Sequence, residues 1–188
     1  MNALKILDFF RRSPEKTGAF RLYQSIVLQS RSPRFYLEFG VPDSVDGRFD
    51  MIALHVFLVL HRLKKDHPQS ARLTQALFDL LFADMDQNLR EMGVGDLSVG
   101  RKIKTMTAAF QGRLVAYESS LDNQLSLQKA LERNLYRHIE PKSVHLEKMA
   151  QYIGEQVDML EQQTTGDLMQ GNITFSPLMH SARATSNV

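Results

Sequence analysis

Apolar residues recur every three or four positions through most of this chain, and prolines, glycines and serines cut the recurrence into helix-sized pieces. Residues 3–12, ALKILDFFRR, predict a short amphipathic helix: Leu4, Ile6, Leu7, Phe9 and Phe10 are apolar, and Arg11 and Arg12 end it before Ser13-Pro14. A second helix is expected over 18–31, with Phe20, Tyr23, Ile26 and Val27 turned inward. It stops at Ser32-Pro33, because proline disfavours helical φ/ψ in the residue before it. FYLEFGVP, residues 35–42, reads as an aromatic-rich connection. The longest apolar run, Met51 to Leu60, sits in a helix predicted over 47–66 and is broken by His55. Apolar residues cover most of that helix's circumference, which predicts burial on nearly all sides. His67-Pro68 ends it. Further helices are predicted over 70–92, from Asp96 or Ser98 to about 120, over 124–138 with Asp122 or Asn123 as cap, and over 143–162 with Ser143 as cap. From residue 163 the text turns polar and aperiodic, a flexible tail with one apolar patch at Ile173–Phe175. No segment alternates as a strand would. The pattern predicts an all-α protein: a single compact helical domain of about six to eight helices. Its organisation is an amphipathic N-terminal helix (1–14), a helical body (15–162) and a flexible tail (163–188).

Composition narrows the chemistry. The chain is 43% hydrophobic and 23% charged, ordinary for a globular domain, and it has no cysteine. Disulfides, thiolate nucleophiles, zinc–cysteine sites and iron–sulfur clusters are therefore excluded. The net charge of +2 is uneven. Residues 1–34 carry Lys5, Arg11, Arg12, Lys16, Arg21, Arg31 and Arg34 against Asp8 and Glu15, a net +5, so the remainder is about −3. A basic end on a near-neutral body suits an anionic membrane surface or ribosomal RNA; nothing in it points to DNA. The first apolar stretch is interrupted by Asp8 and followed by arginines, unlike a secretory signal. No apolar run reaches the roughly 20 residues of a membrane span. The expected location is cytoplasmic, at most peripheral on the membrane's inner face.

One stretch raises a chemical question. GVPDSVDGRFDMIALH, residues 40–55, holds aspartates at 43, 46 and 50, then Arg48 and His55. The aspartates lack the alternate spacing and final glutamate of a calcium loop. Asp46-Gly47 before an apolar run fits a helix start with Asp46 as the cap, and Asp43 after Pro42 fits a turn. His55 and His61 lie about 240° apart on a helix, no HExxH occurs, and no metal or cofactor is expected. GxSxG is absent, and GVGDLSVG (93–100) follows no strand and lacks the lysine of a phosphate loop. Arg113 and Tyr117 share a helix face at i and i+4, as do Arg133 and Arg137.

Three stretches taken together resemble the ubiquinol–cytochrome c chaperone family: RLYQSIVLQSRSPRFYLEFGVPDSVDGRFDMIALHVFLVLHRL, DLSVGRKIKTMTAAFQGRLVAYESSL and LQKALERNLYRH. The resemblance covers about residues 18–160. It implies a helical, non-enzymatic assembly factor for respiratory complex III whose mitochondrial members receive newly made cytochrome b at the membrane, beside the ribosome. With no long presequence, the chain resembles a bacterial relative. The implied partner is a protein client, cytochrome b or another complex III subunit. The expected client surface is Arg31, Arg34, Tyr36, Asp46, Arg48, Asp50, His55, Arg113, Tyr117, Arg133, Asn134 and Tyr136. Leu4, Ile6, Leu7, Phe9, Phe10, Arg11 and Arg12 form the expected membrane-surface element. Two other readings stand beside this one: a small helical enzyme or metal protein using Asp43, Asp46, Asp50 and His55, and a membrane- or RNA-binding protein working through residues 1–34.

Overall fold

In the computed structural model, which describes residues 13–178, the described chain is helical with no strand. The helices are α1 (Pro14–Ser30), α2 (Pro33–Leu37), α3 (Val45–Lys64), α4 (Ala71–Glu91), α5 (Asp96–Glu118), α6 (Gln124–Asn134), α7 (Ser143–Glu161) and α8 (Thr165–Met169). The all-α expectation holds. The predicted N-terminal helix, with its membrane-surface residues, lies outside the described residues.

Short polar side chains set half of the eight described helix starts. Ser13, Ser44, Asn123 and Thr164 each accept a hydrogen bond from an N–H of the first turn. Three expected caps are corrected: neither Asp96 nor Ser98 caps α5, which begins at Asp96 after Gly95 with no side-chain cap. Asp46 is the second residue of α3, and the cap is Ser44, whose hydroxyl accepts from the Gly47 N–H at 3.1 Å. Ser143 is the first residue of α7, which follows Lys142 and makes no side-chain cap. α6 ends at Asn134, four residues earlier than periodicity suggests; Tyr136 then turns its hydroxyl onto the Phe39 carbonyl at 2.7 Å.

The core has two halves, and α3 is the wall between them. Phe49, Ile52, Ala53, Val56, Val59 and Leu63 pack with α1, α4, Phe110 of α5 and Leu168 of α8. Met51, Leu54, Phe57 and Leu58 pack on the opposite side with α2, α6, α7 and Tyr117 of α5. The two sets are offset by about half a helical turn, the all-round apolar pattern that buries a helix completely. Each polar residue on α3 must then find a partner inside. His55 is fully buried: its Nδ1–H donates to the Met51 carbonyl (2.8 Å), and its Nε2 accepts from the Tyr152 hydroxyl (2.7 Å), which also accepts from Gln29 (3.1 Å). At the other end of α3, buried Arg62 donates to the Leu160 and Gln163 carbonyls and to Asp66, tying α3 to the end of α7.

The segment from 163 was expected to be a loose tail. As far as Leu178 it is a strap across the body. α8 packs Leu168 into the first half-core, and Ile173 and Phe175 follow it onto the core. Two glutamine side chains pair with the strap's backbone as a neighbouring strand would: Gln163 with both Thr174 N–H and C=O, and fully buried Gln156 with both Ser176 N–H and C=O. Arg34 donates to the Leu178 carbonyl. Periodicity misses this, because the strap's order comes from partners distant in sequence.

Two glycines explain why the 40–55 stretch has its form. Gly40 has φ +67°, and a Cβ there would sit 2.2 Å from His145 Nδ1. Gly47 lets the Pro42 carbonyl cross the start of α3; a Cβ would come within 2.1 Å of that oxygen. Gly112, in the middle of α5, has open space around the same position. Gly47→Ala is therefore expected to destabilise by about 2 kcal/mol or more, and Gly112→Ala to stabilise by about 0.5–1 kcal/mol. Urea denaturation of the two variants checks the opposite signs.

Candidate functional site

The stretch at residues 40–55 sends its polar residues to different places. Asp43 pairs with Arg48 at 2.7 Å on the surface. Asp46 is exposed, 3.7 Å from Arg137 and 3.8 Å from His138. His55 faces inward to Tyr152. Asp50, 1% exposed, lies 2.9 Å from Arg113 of α5 and 3.2 Å from Arg137, which follows α6. The four groups proposed for a metal thus do not converge, although Asp46 and Asp50 share Arg137, and among the described residues no cluster of three or more His, Asp or Glu could hold a metal.

Asp50 and Arg113 form the chemical centre of this end of the molecule. Arg113 is 5% exposed, and its guanidinium lies 5.8 Å from the Phe49 ring centroid, within cation–π range. Its contact with Asp50 is close but off the hydrogen-bond line. Asp50 Oδ1, Arg113 Nε and Nη1, and the Tyr117 hydroxyl consequently have no hydrogen-bond partner. Burial pushes the Asp50 pKa up to about 6, against the pull of Arg113 and Arg137, and Asp46 adds to the rise. Of the two guanidiniums facing this carboxylate, Arg113 is buried, and Arg137 is partly exposed and also 3.7 Å from Asp46.

Above this cluster a groove of about 780 Å³ runs between the start of α3, the end of α4 and the middle of α5. Its floor is apolar: Phe49, Ile52, Met85, Leu89, Met106 and Ala109. Val45 and Met92 stand on its edge, 66% and 54% exposed. Arg31, Arg48, Arg101, Lys102, Arg113 and Arg137 line it against only Asp46 and Asp84. A second groove, about 1,080 Å³, lies beside α6 and α7 and has the opposite sign: Glu118, Asp122, Glu147, Asp158 and Glu161 against His61 and Lys65.

The structure gathers some of the sequence-derived residues and scatters others. Arg31, Asp46, Arg48 and Arg113 line the basic groove, with Asp50 and Tyr117 buried behind it. Arg34, Tyr36 and Asn134 make local or strap contacts: Tyr36 donates to the Ser30 carbonyl and Asn134 to the Ala130 carbonyl. Tyr136 and His55 are fully buried. Arg133 is exposed on α6, away from the groove lining. Sequence reading missed the far wall: Met85, Leu89, Met92, Arg101, Lys102 and Met106. One signal was available, since Arg101, Thr105, Ala109 and Arg113 recur every four residues and so share a face of α5.

This arrangement is an all-helical domain with an apolar-floored groove beside the Asp50–Arg113 pair. The chain belongs to the ubiquinol–cytochrome c chaperone family, whose model, "Ubiquinol-cytochrome C chaperone", matches residues 37–175. It is 26% identical over 166 residues to human ubiquinol-cytochrome c reductase complex assembly factor 1, covering 87% of this chain and 56% of that protein. It is 25% identical to the Xenopus laevis factor of the same name, covering 87% of this chain and 83% of the relative. The chain thus spans just over half the length of the human relative. Among solved structures it is similar to the Cbp3 homolog from Brucella abortus, 36% identical with a TM-score of 0.80, covering 92% of this chain and 97% of that one.

His55 and Asp50, both buried on α3, oppose each other in acid. Burial lowers the His55 pKa to about 4, with the Met51 carbonyl partly offsetting it. The unfolded chain takes up that proton first, so this contribution to stability is complete above about pH 6.5 and is lost as pH falls towards 4. Asp50 is raised instead, so its contribution is complete below about pH 4 and lost as pH rises through about 6. Going from pH 7 to pH 5, the His55 share of the loss is about 2 kcal/mol. His55→Gln is expected to flatten this acid loss and Asp50→Asn to steepen it, read from urea unfolding at several pH values.

Proposed function

We propose that this chain is a non-enzymatic assembly chaperone for ubiquinol–cytochrome c reductase. It holds an apolar segment of a newly made subunit, cytochrome b foremost, until that subunit is assembled. The single observation that carries this reading is the basic, apolar-floored groove over Asp50 and Arg113. Methionines 85, 92 and 106 on its walls are flexible and polarisable, suited to covering a helix without demanding one shape. Family membership and the names of the relatives support a complex III role. Among the described residues no helix is long and apolar enough to cross a membrane. We assign it to the cytoplasmic face of the membrane, where the basic residues of the first 34 positions would meet anionic lipid or a ribosome.

Deleting the gene should lower assembled complex III and its cytochrome absorbance while other respiratory complexes are retained. Normal complex III levels in the deletion strain would sink the reading. Ala109→Trp, which narrows the groove from an exposed position on α5, should fold with an unchanged helical spectrum yet fail to restore complex III in that strain.

A further inference from the structure

We propose that the groove selects a helical partner segment bearing a carboxylate on its apolar face, and that Arg113 receives this carboxylate. The inference rests on the groove being the client site and names the chemistry the client must present. Arg113 is 5% exposed, lines the groove, and has two nitrogens without a hydrogen-bond partner. A buried guanidinium in that condition is costly unless a ligand completes it. Asp50 does not do so: its contact with Arg113 is off the hydrogen-bond line, and its other oxygen faces Arg137, which also pairs with Asp46.

The surroundings have the same sign. Arg31, Arg48, Arg101, Lys102 and Arg137 line the same groove, and among the described residues its acids are Asp46 and Asp84. Asp84 is already engaged by the Tyr23 hydroxyl at 2.8 Å. Such a rim attracts acid and repels a basic segment. The apolar floor argues for more than a small anion, because Phe49, Ile52, Met85, Leu89 and Met106 offer side-chain contact along the groove's length. Arg101 to Arg113 on α5 rises about 18 Å, or about three helical turns, the size of an amphipathic helix laid along it. A leucine-rich helix with one glutamate or aspartate facing inward fits both parts: its apolar side covers the floor, and its carboxylate meets the guanidinium in a bidentate pair.

The test uses the full chain and two labelled probe peptides. Each is a 14-residue leucine–alanine amphipathic helix, with a single glutamate or a single glutamine at the centre of its apolar face. Fluorescence anisotropy is expected to give about tenfold or more tighter binding for the glutamate peptide. Arg113→Gln should erase the difference while keeping the glutamine peptide's affinity, and Ala109→Trp should abolish both. The preference should also survive about 0.5 M salt, since a buried pair is screened far less than the rim; that measurement needs no variant to fold. Equal affinities in the wild type, a preference that persists in Arg113→Gln, or its loss in salt would overturn the carboxylate preference and leave the groove as client site. Binding of neither peptide would remove both. Oleate binding through Arg113, with neither peptide bound, would assign the groove to a fatty acid and likewise overturn the proposal.

Discussion

The described helices are arranged around one helix whose middle is buried on every side. α3 is apolar around almost its whole circumference, and only a second layer of helices on each side can remove that surface from water. One layer, α1 and α4 with part of α5, covers one face; α2, α6 and α7 cover the other. α5 contributes Phe110 to the first and Tyr117 to the second, so it closes the two half-cores at one edge. The strap after α7 spans them at another, with Ile173 touching both.

A helix buried in this way turns each polar residue on it into a commitment. His55 is met by Tyr152 and the Met51 carbonyl, and every atom of that network has a consistent role: Gln29 donates to Tyr152, Tyr152 to His55, and His55 to the backbone. Arg62 is met by two carbonyls and Asp66. Asp50 differs. Its two arginines approach closely, yet Arg113 and Tyr117 keep unused hydrogen-bonding atoms. Interiors rarely leave such groups incomplete, and this incompleteness adjoins an open groove, where His55 and Arg62 are sealed. That contrast separates polar residues whose hydrogen bonds are complete from a cluster beside the groove whose bonds are not.

The two grooves divide the surface by charge. The basic one lies against the first half-core and the acidic one against the second. A net charge of +2 conceals this, because it averages two fields of opposite sign. An assembly factor of the ubiquinol–cytochrome c chaperone family would gain discrimination from such a split, since a segment suited to one groove is repelled by the other.

Local pattern determined the helical class, the boundaries of α3 and α4 to within about two residues, and the burial of α3, because periodicity and punctuation act over neighbouring positions. It also marked the 40–55 stretch as special, though for the wrong cap: a serine two residues before Asp46 does the work. The tertiary structure decided the rest. That Asp50 meets Arg113 and Arg137, that Gln156 and Gln163 turn an aperiodic tail into a strap, and that α4 and α5 wall a groove with α3 are long-range pairings. A one-dimensional pattern records which face of a helix avoids water. Which polar group arrives opposite it, and whether that group is satisfied there, depends on the packing of helices brought together from distant parts of the chain.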